Sequence, residues 1–281
     1  MKDTLGDRMK NFYEDRFRYY LPRRAYTIIR VDGKAFHSYT KGLSRPFDFG
    51  LISDMDQTAA YLCKNIMGAK FAYVQSDEIS VLLTDFDDLS TQAWFDNNLQ
   101  KMASVASSMA TAKFNELRLK RNLKIIEDIR RPDEPFLDLD KQKLAMFDAR
   151  VFQIPSAMEV ENYFIFRQQD ATRNSISSVA QSMFSHKELH GKSTDEMQEM
   201  IFQEGINWND YLYREKRGGV VSKVEVKVPN VNKLEAVEST NITPEKMFTT
   251  RTKWETVETP IFTKDRGFLR GLIPNFSGSD E

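Results

Sequence analysis

Cysteine is almost missing from this 281-residue chain. The single Cys63 excludes an internal disulfide framework and fits a reducing compartment. No apolar run approaches the ~18 residues that a membrane span needs. The opening Met1-Lys2-Asp3-Thr4 begins no secretory signal, so a cytoplasmic protein with no membrane partner is expected. The chain lacks an internal repeat and a low-complexity linker. It also lacks an excess of either charge. Its 40 basic residues face 41 acidic ones, for a net charge of −1, which does not announce a nucleic-acid binder. Basic residues do cluster locally, at Arg16, Arg18, Arg23 and Arg24, at Arg118, Lys120, Arg121 and Lys124, at Arg130-Arg131 and at Lys216-Arg217. Each cluster taken alone reads first as a solvated helix face or loop.

The chain has plenty to build a core with. Hydrophobic residues make up 41%, and 20 Phe, 10 Tyr and three Trp argue against disorder. Residues 8–20 read as a helix. Ala25-Tyr26-Thr27-Ile28-Ile29 is a strand running into Arg30-Val31-Asp32-Gly33. Leu51, Ile52, Met55, Ala59, Leu62, Cys63 and Ile66 fall at helical spacing, which predicts a helix over 50–67 stopped by Gly68. Residues 71–84 read as a hairpin with Ser76-Asp77-Glu78 at its tip. Helical periodicity returns over 92–118, and 147–154 is a strand. The stretch 125–145, with Pro132 and Pro135, reads as an exposed loop or short helix.

The order β-α-β-β-α-β is that of a ferredoxin-like split βαβ. A helix opened by Ser156 and broken near Asp170 is expected next. A helix capped by Ser193, a strand over 223–228, a last strand between Trp254 and Phe262, and a frayed tail from Pro274 follow. The fold class is therefore α+β, with a helical C-terminal half. One catalytic unit spans 1–281: a core over about 20–155, a helical part over about 156–220 and a C-terminal extension over 221–281.

Asp32 and Asp77 each follow an apolar strand and would stand on neighbouring strands. With no Cys or His cluster nearby, such carboxylates suit a hard ion such as Mg²⁺, and two of them can bridge two ions for phosphate chemistry. The Gly33 carbonyl offers a further oxygen, and Glu78 stands beside the pair. Either stretch alone reads as a turn; together they favour a site. The turn Lys34-Ala35-Phe36-His37 suits an anion nest for a triphosphate, with Lys34 and Arg45 as counter-charges. His37 alone is more often a packed side chain than a ligand. His186 and His190 stand at i,i+4, but no third metal ligand is near them in sequence. Arg167-Gln168-Gln169-Asp170-Ala171-Thr172-Arg173-Asn174-Ser175 is unusually polar. A satisfied helix break and a wall touching RNA or a second nucleotide are equally good readings of it.

Four motifs occur in order: Arg30-Val31-Asp32-Gly33-x-x-Phe36-His37, Gln75-Ser76-Asp77-Glu78, Phe147-Asp148-x-Arg150 and Arg167-Gln168-x-Asp170. This set, over residues 5 to 220, resembles the tRNA(His) guanylyltransferase family of 3′-to-5′ nucleotide polymerases. The resemblance implies a polymerase-palm fold. It implies two Mg²⁺ ions on Asp32, the Gly33 carbonyl and Asp77, with Glu78 close by as a catalytic carboxylate. It implies a triphosphate site on Lys34, Ala35, Phe36, His37, Arg45 and Ser76, and contact with RNA or a second nucleotide at Arg150, Arg167, Asp170, Arg173 and Asn174. ATP, GTP or other nucleoside triphosphates are the implied co-substrates, tRNA the implied partner and a homotetramer the implied assembly. Members that add guanosine to histidine tRNA carry a His-Ile-Asn-Asn run where this chain has Thr172-Arg173-Asn174-Ser175. That departure resembles the branch that repairs 5′-truncated tRNAs by templated addition. Two other classes are a palm-fold nucleotide cyclase, which the absent Gly-Gly-acidic-acidic-Phe run disfavours, and a non-catalytic RNA-binding protein, which the intact Asp32, Asp77 and Glu78 disfavour.

Overall fold

The computed structural model describes residues 4–129, 143–229 and 248–275. Residues 130–142, which include Arg130, Arg131, Pro132 and Pro135, lie outside the described residues, as do 230–247 and the tail from 276.

The chain opens on helix α1 (Leu5–Met9), a π-type turn over Lys10–Glu14 and a 3-10 turn over Asp15–Phe17. The helix expected over 8–20 forms as this continuous run of mixed turns over 5–17 and ends before Arg18. None of these turns buries a residue, and isolated helical segments this short are marginal without a packed face. Strand β1 (Tyr26–Gly33) follows, then α2 (Phe36–Tyr39) and α3 (Phe49–Asn65). Asp48 starts α3 by accepting the Leu51 N–H at 2.7 Å. Strands β2 (Ala69–Gln75) and β3 (Glu78–Leu83) form the hairpin, with Ser76 and Asp77 as its two-residue turn. Ser76 sits at φ 46°, in the left-handed region. Helix α4 (Leu99–Ile129) is longer than its apolar period, and β4 (Phe147–Ile154) ends the first layer.

The second half begins with α5 (Ala157–Met183), capped by Ser156. Helices α6 (His186–Leu189), α7 (Thr194–Gln203) and α8 (Tyr213–Arg217) follow, and Ser193 and Glu196 close a reciprocal capping box on α7. Strands β5 (Gly219–Pro229) and β6 (Phe248–Val257) and helix α9 (Arg266–Leu272) complete the described chain. The last strand therefore stops at Val257, short of Phe262.

Among the described residues six strands form one sheet in the order β4-β1-β3-β2-β5-β6, each pair antiparallel. The first four strands give the split βαβ order expected of a palm. The addition is β5 and β6: residues 221–281 contribute strands to the sheet edge beside β2, so the C-terminal half is not purely helical. One face of the sheet packs on α3 and α4 through Ile29, Val31, Met55, Met102 and Phe114. The other packs on α5 and α9 through Phe71, Tyr73, Phe164, Phe262 and Leu269. Among the described residues no helix is long and apolar enough to cross a membrane.

Candidate active site

The sheet's register brings the acidic residues together. Asp32, near the end of β1, pairs with Glu78 on β3 and with Asp148 on β4. The next residue, Gly33, donates its N–H to the Asp77 carbonyl at 3.1 Å, which ties the hairpin tip to the end of β1. Gly33 has no room for a side chain: a Cβ there would lie 2.2 Å from the Phe36 ring. Asp32 and Asp77 line one pocket of about 330 Å³, with Glu78, Arg167, Asp170 and Asn174. Burial pushes the Asp77 carboxyl up to about 6; the Ser76 hydroxyl opposes that shift, and the Asp32 and Glu78 charges add to it.

These groups fit Mg²⁺. The Asp32 and Asp77 carboxylates that line the pocket offer hard oxygens; Gly33 does not line it. Among the described residues no group of three or more His, Cys, Asp or Glu stands ready to hold an ion. An ion held by one or two carboxylates and completed by water and substrate phosphates is the usual protein setting of Mg²⁺.

Glu78 is placed differently from Asp77. Its carboxylate accepts Arg167 Nε at 2.8 Å and Nη2 at 2.6 Å, and Ser80 Oγ at 3.2 Å, and the whole group is buried. Arg167 Nη2 also reaches Asp170 at 2.9 Å, and Asp170 accepts Arg173 Nη2 at 3.0 Å and Asn174 Nδ2 at 3.5 Å. Arg167 is thus committed to carboxylates inside the protein. The helix break expected near Asp170 is absent. Arg167 and Gln168 of α5 find distant partners: Gln168 accepts the Phe262 N–H and donates to the Pro260 carbonyl, both at 2.8 Å, whereas Thr172, Arg173 and Asn174 bond within the helix.

A second pocket of about 450 Å³ adjoins the first and shares Gln75, Ser76, Asn174, Ser178 and Gln181 with it. His37 and Arg45 line it on one side and Arg214 on another. The turn after Gly33 departs from the expected nest. Lys34 spends its N–H on the Met146 carbonyl at 2.8 Å, and the Phe36 ring is core. Ala35 takes φ 53°, and the amides of Ala35, Phe36 and His37 keep no acceptor among the described residues. Arg150 and Arg173 are exposed.

Sequence reasoning did not single out Arg214, Ser178 or Gln181. Arg214 is held by Asp56 at 2.6 Å across 158 residues of chain, which leaves no local signal. Ser178 and Gln181 continue from Asn174 at helical spacing, so a polar stripe on an unbroken α5 would have disclosed them. The basic cluster at Arg118 and Arg121 proves internal: both hold the buried Asp54, at 3.0 and 2.7 Å.

Comparison with known proteins gives a consistent set. The family model described as tRNAHis guanylyltransferase matches residues 6–155. The tRNA(His) guanylyltransferase of Debaryomyces hansenii is 26% identical over 234 residues, covering 79% of this chain and 81% of that protein. A bacterial tRNA(His) guanylyltransferase-like protein solved in complex with ATP is 43% identical, with a TM-score of 0.75, covering 96% of this chain and 99% of that one. A second such structure, in complex with GTP, is 41% identical with a TM-score of 0.73 over the same shares.

Proposed function

We propose, on the premise that this chain belongs to the tRNA(His) guanylyltransferase family, that it is a template-dependent 3′-to-5′ nucleotidyltransferase. It acts on the 5′ end of tRNA and works as a repair enzyme for shortened 5′ ends. The relatives with bound ATP and GTP support nucleoside triphosphates as its substrates. One observation carries the reading. The Ser76-Asp77 turn stands where two pockets meet, one carrying the carboxylates and one large enough for a nucleotide.

In this reading ATP first adenylylates the 5′-monophosphate of the RNA and releases pyrophosphate. The 3′-hydroxyl of the incoming nucleoside triphosphate then attacks that phosphorus and AMP leaves. Asp32, Asp77 and the Gly33 carbonyl would hold Mg²⁺, which when bound supplies charge neutralisation and a lowered hydroxyl pKa. The rest of the chain positions. His37, Arg45 and the open amides of Ala35 to His37 receive the triphosphate. Asn174, Ser178 and Gln181 line the wall common to both pockets. Arg167 holds the hairpin tip against α5. The Thr172-Arg173-Asn174-Ser175 segment favours repair over strict histidine-tRNA specificity. The working particle is a cytoplasmic homotetramer of one catalytic unit each, checked by sedimentation.

The test is incorporation of labelled nucleotides into a tRNA lacking its first 5′ residue, with Mg²⁺ and ATP. Templated extension is expected, and Asp77→Ala should reduce it by at least about a hundredfold. Near-normal extension by that variant would sink the metal role of Asp77. Nucleotide consumption without extension would point to a cyclase instead.

A further inference from the structure

Four charged side chains beside the candidate metal site form a two-by-two block on the sheet. Arg30 on β1 faces Arg150 on β4, and one step further along Asp32 faces Asp148. Residues directly opposed on antiparallel strands, and residues two apart on one strand, share a face of the sheet. Ser80, the partner of Arg30 on β3, contacts Tyr163 of α5 at 2.9 Å, so this face is the one turned towards α5. Asp32 and Arg30 are therefore separated by roughly 6.6 Å along one strand.

The two arginines differ from their neighbours in making no ion pair, although Asp32 and Asp148 stand one step along the same strands. Arg167 is neutralised by Glu78 and Asp170, and Arg173 by Asp170. Arg214 is neutralised by Asp56. The Arg30 and Arg150 side chains make no ion pair or hydrogen bond among the described residues, and the Nε of Arg30 is buried without a partner. Two opposed like charges destabilise a strand pair, and a buried donor left unsatisfied costs more still. Both costs disappear if an anion sits between the guanidiniums, which match phosphate oxygens in fork geometry.

The location says which anion. The sheet runs β4-β1-β3-β2, and the nucleotide-sized pocket lies at the β2 side, lined by Gln75, Ser76, Arg214 and Gly218. Arg150 lies on β4, beyond the strand of Asp32 as seen from that pocket, Arg30 lies two residues back along that strand, and neither arginine lines either cavity. An in-line displacement at phosphorus needs the attacking hydroxyl and the leaving group on opposite sides. We propose that Arg30 and Arg150 form the seat for the terminal phosphate of the RNA 5′ end, holding it across the carboxylates from the incoming nucleotide. This rests on the proposed function and deepens it.

The test is binding, not turnover. Fluorescence anisotropy would compare one acceptor-stem RNA hairpin carrying a 5′-monophosphate with the same hairpin carrying a 5′-hydroxyl, with Mg²⁺ and no nucleoside triphosphate. The unaltered protein is expected to prefer the phosphorylated hairpin by about tenfold or more, the usual size of a charged hydrogen bond. Arg30→Met and Arg150→Met should each remove most of that preference while changing affinity for the 5′-hydroxyl hairpin less than about threefold. Lys120→Met, on the exposed side of α4, should leave the preference intact. Equal weakening of both hairpins by the arginine variants would reduce the pair to general electrostatics and overturn the proposal. So would a preference that survives both substitutions. Inorganic pyrophosphate that binds through these arginines, with no preference between the hairpins, would assign the seat to the released product and overturn it too. Extension of truncated tRNA by a protein showing no 5′-phosphate preference would sink the seat and leave the enzymatic reading standing. Absence of both would sink both.

Discussion

Asp77 and Glu78 are adjacent in sequence and lead different lives. Asp77 stands in the turn, its carboxyl raised by burial among other acids. Glu78 is the first residue of β3, and both of its oxygens are taken by Arg167. A buried carboxylate in a two-point contact with a guanidinium is a poor candidate to hold a metal as well, because that would strand the arginine charge. Glu78 then positions the turn that carries Asp77. Glu78→Gln is expected to lower turnover by about 10–100-fold, as loss of a supporting partner does. The Mg²⁺ concentration for half-maximal rate should stay within about twofold. Asp77→Asn should raise that concentration strongly. Titration of the rate with Mg²⁺ for the two variants separates the roles, and parallel shifts in both would make Glu78 a ligand. The Ser-Asp-Glu tip is legible in the sequence because strand and turn patterns are local. Which of the two carboxylates is taken by an internal partner is not, since Arg167 stands 89 residues away.

The element that decides most of the site is α5. It is a continuous helix of 27 residues whose two flanks meet different parts of the chain. Its polar run 167–175 reads alike whether it faces water, a ligand or another segment, which is why a break near Asp170 was the natural expectation. The structure resolves this through partners that periodicity does not reveal: Glu78, Pro260 and Phe262. Near its start, Glu161 ties α5 to α9 by accepting Arg270 Nε at 2.8 Å and Arg266 Nη1 at 3.0 Å. The Arg270 hydrogen bond, more than any other cause, holds the Glu161 carboxyl below its ordinary value. A depressed folded-state value means that the pair stabilises the fold above the ordinary glutamate range, about 4.3, and is lost as pH falls through the folded value. Glu161→Gln should therefore melt below the unaltered protein at pH 7. The gap between their melting temperatures should close as pH drops below about 4. A gap that does not change with pH would show that the ion pair contributes nothing to the difference.

At the scale of the whole molecule, the order β-α-β-β-α-β is readable because each element announces itself over a few residues and the topology rules leave few ways to join them. The next strand pairing is not readable. β5 alternates as a strand should, but besides β6 it pairs with β2, whose Ala72, Tyr73 and Val74 face Val221, Val220 and Gly219 from about half the chain away. The sequence treats 221–281 as an extension; in the folded chain part of it is core, together with Val220 just before it. Val220, Phe262, Leu269 and Ile273 are buried against the α5 face of the sheet. At about 1.5–3 kcal/mol for each fully buried apolar side chain, these four contribute about 6–12 kcal/mol. That is comparable with the entire stability of a typical domain, about 5–15 kcal/mol. A chain ended after Gly218 would also open the edge of β2 and leave Gln168 without its Pro260 and Phe262 partners. It is expected to show no cooperative thermal transition by circular dichroism and to bind no nucleotide. A sharp melt in that shortened chain would mean that the palm and its helical half fold without β5, β6 and α9, and that the single-unit description is wrong.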